Sequence, residues 1–334
     1  MNAQSYVDKL RNLRLDHATF KNAFLRAHAH AAMSAPTQLI IVAGPTRVGK
    51  TTLGKRLAHE LICPYREEDG MIPLVRVEAA TTNSAKFSTK HFTLRMLEEL
   101  SDPVSTIGEG ISIRYRQSET HLRIQLERCL RFRKTRFLLV DEAQHLLRTT
   151  SGVRAGEVID TLKSLANETG ITVVLMGGYE LLSTCIDSPH LNGRLTIIDF
   201  PPYGDDEASI REFDRVLLAL GEILPVKAGF LLNHREFLYR GSLGCVGLLM
   251  GWSMKAVAEM QAHSQRELRL EYFKATRYAI QNRAIANEIA LGAELLGRSH
   301  AQEEPPQSPQ QRPARRGRPF VRKPVRDAGP RSRS

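Results

Sequence analysis

"AGPTRVGKTT", residues 43–52, decides how the rest of the chain is read. Gly44, Gly49, Lys50 and Thr51 satisfy G-x-x-x-x-G-K-[ST], a loop whose backbone N–H groups close around phosphates at the start of a helix. The flanks agree with that reading. "QLIIVA" (38–43) is a short apolar run of strand character, and "KTTLGKRLAHEL" (50–61) carries its apolar residues at helical spacing. The motif assigns Gly44, Pro45, Thr46, Arg47, Val48, Gly49, Lys50, Thr51 and Thr52 to the cradle of a nucleoside triphosphate. Lys50 is placed to reach the β- and γ-phosphates, and the Thr51 hydroxyl to ligate Mg2+.

A second stretch completes such a site. "RFLLVDEAQHLL" (136–147) is an apolar strand that ends in two adjacent carboxylates. At the mouth of a phosphate-loop sheet, Asp141 belongs to the Mg2+ shell, while Glu142 orients or deprotonates the attacking water. The competing reading is an ordinary strand-to-helix turn in which the aspartate caps the next helix. "DEAQH" also resembles the second motif of DEAH-type helicases, but those need a second nucleotide-binding core, for which 334 residues leave no room.

Further short aliphatic runs lie at 74–79, 171–176 and 195–200, separated by helical patterns such as 121–132 and 158–168. Alternating strands and helices predict an α/β fold with a parallel, five-stranded sheet flanked by helices. The expected organisation is an N-terminal helical segment (1–36), the phosphate-loop core (37–204), a small helical domain (205–298) and a tail (299–334). Within the helical domain, 207–224, 243–261 and 270–280 read as helices, and glycines 244, 247 and 251 predict close helix–helix approach.

Net charge is +11 with a pI near 9.7, so a polyanionic partner is expected. The excess is concentrated at the end: residues 299–334 hold nine Lys/Arg against three Asp/Glu, and 7 of the 16 prolines. That composition predicts a disordered basic tail. Cys63, Cys129, Cys185 and Cys245 are widely spaced and read as packing thiols in a reducing compartment. No apolar run approaches the roughly 18 residues of a membrane span, so the expected location is cytoplasmic, with no membrane partner.

Arg194, just before the last strand, reads equally as a surface arginine or as a finger reaching a neighbouring subunit's γ-phosphate. A polar residue commonly senses the γ-phosphate after the fourth strand. Here Gly177 and Gly178 stand in that place, leaving Tyr179 as a weak candidate. The helical domain shows no G-x-x-R within 241–249.

With these pieces placed, the chain resembles AAA+ ATPases and, among them, the transposon-encoded TniB/TnsC family, ATP-dependent regulators of DNA transposition. The likeness is carried by "IIVAGPTRVGKTTL" (40–53), "LLVDEAQHLL" (138–147), "TLKSLANETGITVVLMGGYELL" (161–182) and "GRLTIIDFPPY" (193–203), and covers roughly residues 5–260. The resemblance implies an AAA+ P-loop core with a helical lid and the cofactors ATP and Mg2+. Catalytic roles pass to Lys50, Glu142 and, at the subunit interface, Arg194. It further implies a homo-oligomer, a helical filament or ring on double-stranded DNA, that recruits a transposase and answers to a target-selection protein, with hydrolysis driving disassembly. Loops in family members that track the DNA backbone correspond here to regions holding Lys86 and Lys90 (81–92) and Arg114 and Arg116 (111–121). In the tail, Arg316-Gly317-Arg318-Pro319 matches the core of an AT-hook, though an Arg/Pro-rich composition produces such a match easily. The rival readings are a replication-type helicase loader, a secretion-associated ATPase, a P-loop phosphotransferase and a signalling switch that oligomerises without DNA.

Overall fold

The structure is a computed structural model that describes residues 3–13, 15–33, 37–65, 70–81, 86–101, 117–148, 155–186, 195–277 and 281–301. Helices Ala3–Asn12 (α1) and Ala18–Met33 (α2) precede strand Leu39–Ala43 (β1), and helix Lys50–Ile62 (α3) follows the phosphate loop. Then come Leu74–Glu78 (β2), Thr89–Glu99 (α4), Glu119–Phe132 (α5) and Phe137–Asp141 (β3), with a 3-10 turn at Ala143–Leu147. Ala155–Thr169 (α6), Thr172–Gly177 (β4), Glu180–Ile186 (α7) and Leu195–Asp199 (β5) close the sheet region. Beyond it the chain is helical: Glu207–Gly221 (α8), Phe230–Asn233 (α9), Arg235–Ser242 (α10), Val246–Ala262 (α11), Leu270–Ala275 (α12) and Gln281–Ala301 (α13).

The five strands are parallel, in the order β2-β3-β4-β1-β5. Every position of β1, β3 and β4 is buried, because helices cover both faces and a central strand then has no solvent side. Alternate side chains serve the two faces. Ile40 and Val42 join Phe20, Phe24, Leu53 and Leu57 of α2 and α3 on one face. Leu39, Ile41 and Ala43 join Leu97, Leu126, Leu162 and Leu182 of the helices on the other. The helical layer has its own core around Trp252, which is fully buried among Phe213, Leu220, Leu238 and Phe273. The Trp252 indole N–H is satisfied by the Phe273 carbonyl at 3.0 Å.

Several expectations change. The segment read as a loop at 81–92 becomes helix from Thr89, so Lys90 stands in the first turn of α4, and Ser88 caps it by accepting from the His91 N–H at 3.3 Å. The helix expected over 270–280 ends at Ala275, and a long helix runs from Gln281 to Ala301. Both ends of the chain cross between layers: α1 packs on α11, placing Leu10 in the Trp252 core, and α13 packs on α7 beside the sheet. Cys129, Cys185 and Cys245 are buried, but Cys63, in the turn after α3, is exposed. Arg114, Arg116, Arg194, Arg316 and Arg318 lie outside the described residues. Among the described residues no single helix is long and apolar enough to cross a membrane.

Candidate nucleotide site

The loop grows out of β1. The Gly44 N–H donates to the Gly177 carbonyl at 3.2 Å, carrying the β1–β4 ladder one residue further, and the Phe200 N–H donates to the Ala43 carbonyl at 2.7 Å on the other side. Arg47 (φ 68) and Gly49 (φ 121) then turn the chain so that α3 begins at Lys50. The first-turn N–H groups of α3 have no intrahelical acceptor and point into the loop, which makes this end of the sheet an anion cradle. Lys50 is only 8% exposed. Its Nζ donates to the carbonyls of Gly44 and Pro45, both at 2.8 Å. Burial pushes its pKa below the ordinary lysine value, against the opposing pull of Glu288, Glu142 and Asp141. Thr46, Arg47, Gly49, Lys50, Thr51 and Thr52 share one cleft of about 420 Å3 with Glu142 and Gly247.

Across β4, β3 delivers the carboxylates. Asp141 is buried; Arg76 of β2 donates to its Oδ2 at 2.9 Å, and its Oδ1 accepts from the Glu142 N–H at 3.1 Å. Glu142 adopts a left-handed backbone (φ 52, ψ 37) and starts the 3-10 turn. Gln144 of that turn donates from Nε2 to Glu142 Oε2 and accepts the Gly178 N–H on Oε1 at 3.1 Å. Thr51, Asp141 and Glu142 also line a neighbouring cleft with Lys55, Arg76 and Arg95. A threonine hydroxyl beside one buried carboxylate suits Mg2+, a hard cation that keeps waters and phosphate oxygens as its other ligands. No group of three or more His, Cys, Asp or Glu able to hold a metal occurs among the described residues, so an all-protein cage is not what these residues build.

The other wall of the loop is helical. A cleft of about 690 Å3 is lined by the apolar Leu13, Phe20, Val48, Val246 and Met250 together with His17 and the charged Asp16, Lys55, Arg56 and Glu60, a mixture of apolar and polar groups of the kind that ligand clefts present. Burial pushes the His17 pKa down to about 4, so this imidazole is neutral. Its Nδ1 lies within hydrogen-bond reach of the Tyr203 and Thr19 hydroxyls, at 3.2 and 3.1 Å. Gly247 of α11 touches the phosphate loop itself: a Cβ there would stand 2.4 Å from the Arg47 carbonyl oxygen. The expected close approach at this glycine is thus to the loop, while Gly251 has open space beside it.

Glu288 of α13 closes the remaining side. Its Oε2 accepts the Thr46 N–H at 2.9 Å, across 242 residues of sequence. Tyr179, the weak sensor candidate, is committed elsewhere: its hydroxyl donates to Asp199 Oδ1 at 2.7 Å, and its ring lies against Gly292 of α13. The structure brings Lys50, Thr51, Asp141 and Glu142, all singled out from the sequence, to one end of the sheet, and sets beside them Gln144, Arg76, His17 and Glu288, which the sequence does not single out. Gln144 lay inside the quoted "DEAQ", and Arg76 is the charged residue at the centre of a strand otherwise apolar up to Glu78. Nothing local marks His17 or Glu288.

Residues 34–184 match the family model described as "AAA domain". The fold is the AAA+ P-loop fold. The ORC2 protein of Aeropyrum pernix, in its ADPNP–ADP complexes, superposes with a TM-score of 0.57 at 15% identity, covering 80% of this chain and 70% of that one. A Walker-type ATPase of Pyrococcus abyssi gives 0.52 at 16% identity, covering 87% and 81%. Domain III of the replication initiation protein DnaA from Thermotoga maritima gives 0.48 at 14% identity, covering 80% and 94%. No curated protein matches the sequence.

Proposed function

We propose that this chain is an ATP-driven switch that assembles with copies of itself on double-stranded DNA and regulates transposition. The observation that carries the ATP half is the convergence of Lys50, Thr51, Asp141 and Glu142 on the phosphate-loop end of one parallel sheet. In hydrolysis a water oxygen bonds to the γ-phosphorus as the bond to the bridging oxygen of the leaving ADP breaks, and the water's proton passes to Glu142. Lys50 and the loop N–H groups meet the charge that develops on the phosphate oxygens. Thr51 and Asp141 are the residues that would hold Mg2+, which when bound would supply further neutralisation of those oxygens. Arg194 acts at the neighbouring subunit's nucleotide.

The DNA and transposition half rests on the motif resemblance and on charge. Lys86 and Lys90 stand at the entry to α4, and the basic tail adds phosphate-directed charge, so binding is expected to be weakly sequence-selective and strongly salt-dependent. The transposase and a target-selecting protein are the proposed partners, in the cytoplasm. A second reading, a replication-type loader, is favoured by the fold likeness to the ORC2 protein and differs in its partner alone.

The test is binding to a random-sequence duplex, followed by anisotropy and electron microscopy with ATP, a non-hydrolysable analogue, ADP or no nucleotide. Regular assemblies with ATP or the analogue only, absent in Lys50→Ala, are expected. Absence of DNA binding in every nucleotide state overturns the DNA half, and pull-down of a helicase in place of a transposase selects the second reading.

A further inference from the structure

β4 ends at Gly177 and Gly178 follows it, so the C-terminal end of the strand that separates the phosphate loop from the carboxylates sends no polar side chain toward either. Gln144 stands in that gap. Its amide orientation is fixed by its partners: the Gly178 N–H can only donate, so Oε1 must face it, which leaves Nε2 to donate to the acceptor-only carboxylate of Glu142. The approach is tight. A Cβ at Gly177 would stand 2.9 Å from Gln144 Oε1 and 3.1 Å from the Gln144 backbone nitrogen, so a larger residue there displaces the Gln144 amide from its place. Gly177 in turn carries the carbonyl that accepts from the Gly44 N–H at the start of the phosphate loop. A continuous path therefore runs from the loop backbone through the end of β4 and the Gln144 amide to one oxygen of Glu142.

We propose that Gln144 is the positioning residue for Glu142, holding that carboxylate in one orientation relative to the phosphate loop. The paired glycines at 177–178 are then what admits it, and the polar group absent from β4 is supplied from the turn after β3. The inference rests on the ATPase reading above. A carboxylate that must both approach a water and take its proton gains more from a fixed direction than from proximity. A side chain that only orients it lowers turnover without weakening nucleotide binding.

The experiment is steady-state ATP turnover by the full chain on duplex DNA, for Gln144→Ala, the near-isosteric Gln144→Met, Gly177→Ala, Glu142→Gln and the Glu142→Gln/Gln144→Ala double variant. Gln144→Ala and Gln144→Met are expected to lower kcat by roughly 10- to 100-fold with KM held within about twofold. Gly177→Ala should give the same signature with Gln144 in place, and the double variant should be no slower than Glu142→Gln alone. Unchanged kcat, a loss that appears in KM, or a double variant slower than Glu142→Gln overturns the proposal. Hydrogen exchange at the Gly178 amide reads the same link without turnover, and should accelerate at least about tenfold in Gln144→Ala. A wild type that hydrolyses no ATP defeats the ATPase reading, and the positioning link is then decided by that exchange: acceleration sustains it and unchanged protection overturns it.

Discussion

The nucleotide site has a wall made by the sheet and a wall made by helices, and the two are built on different principles. Asp141 ends β3, Glu142 and Gln144 follow within three residues, and Lys50 opens α3 at the far end of the loop that leaves β1; parallel register fixes the strand ends from which they hang. His17 arrives on the segment that links α1 to α2, Gly247 on α11 and Glu288 on α13, and each is held by tertiary contacts rather than by a strand ladder. A strand end cannot shift without breaking its ladder, whereas a packed helix can slide or tilt at lower cost. The sheet wall is therefore suited to chemistry, and the helical wall to affinity and to its control.

The largest expected effect tests the sheet wall. Glu142→Gln should reduce ATP turnover by about 10^2- to 10^4-fold while nucleotide affinity, measured by titration with a fluorescent analogue, stays within a few-fold. A comparable loss of affinity would erase the division between the walls.

Acid should loosen the helical wall. His17 is held neutral with its pKa lowered from 6.5 to about 4 by burial. Between those values the unfolded chain binds more protons, so this group's stabilisation is complete above about pH 6.5 and lost as pH falls toward 4. Its upper bound is ~3 kcal/mol. Thermal unfolding of the wild type should show that slope, and His17→Asn should flatten it; equal slopes would mean that His17 does not titrate with folding.

A smaller effect is expected at the contact between α11 and the loop. Gly247→Val must displace either α11 or the Arg47 carbonyl, weakening nucleotide binding by roughly tenfold, about 1.4 kcal/mol, with little change in kcat. The smallest prediction concerns α13. Glu288→Gln removes a negative charge facing Thr46 and Lys50 and should tighten nucleotide binding by a few-fold; weaker binding would make Glu288 a support of the loop instead.

What could be read from the sequence follows the same division. The sheet wall was legible because its residues are contiguous: the loop continues β1, and the two carboxylates end β3. The position of Arg76 against Asp141 was not, since it depends on β2 lying beside β3, which no local pattern states. The start of α4, "FSTKHF", reads as loop because it is polar and hydroxyl-rich, although Ser88 in that stretch caps the helix. α13 presents Ile285 to Cys245 and Leu248 but Leu295 to the sheet core. Two partners break up the single apolar stripe by which a helix is recognised. Gly247 stands out in a helical stretch of sequence, but its partner, a carbonyl 200 residues away in the chain, is set by the tertiary fold alone.

The contact between Glu288 and the Thr46 N–H has a further consequence. A free carboxylate in solution competes with a nucleotide according to its concentration, and dilution relieves it. Glu288 is tethered by the fold, so its effective concentration at the loop is an internal constant of the molecule. Diluting the protein leaves it unchanged. Whatever bends α13 away lowers it at once, so the position of the last described helix is one adjustment on the apparent affinity for an incoming phosphate.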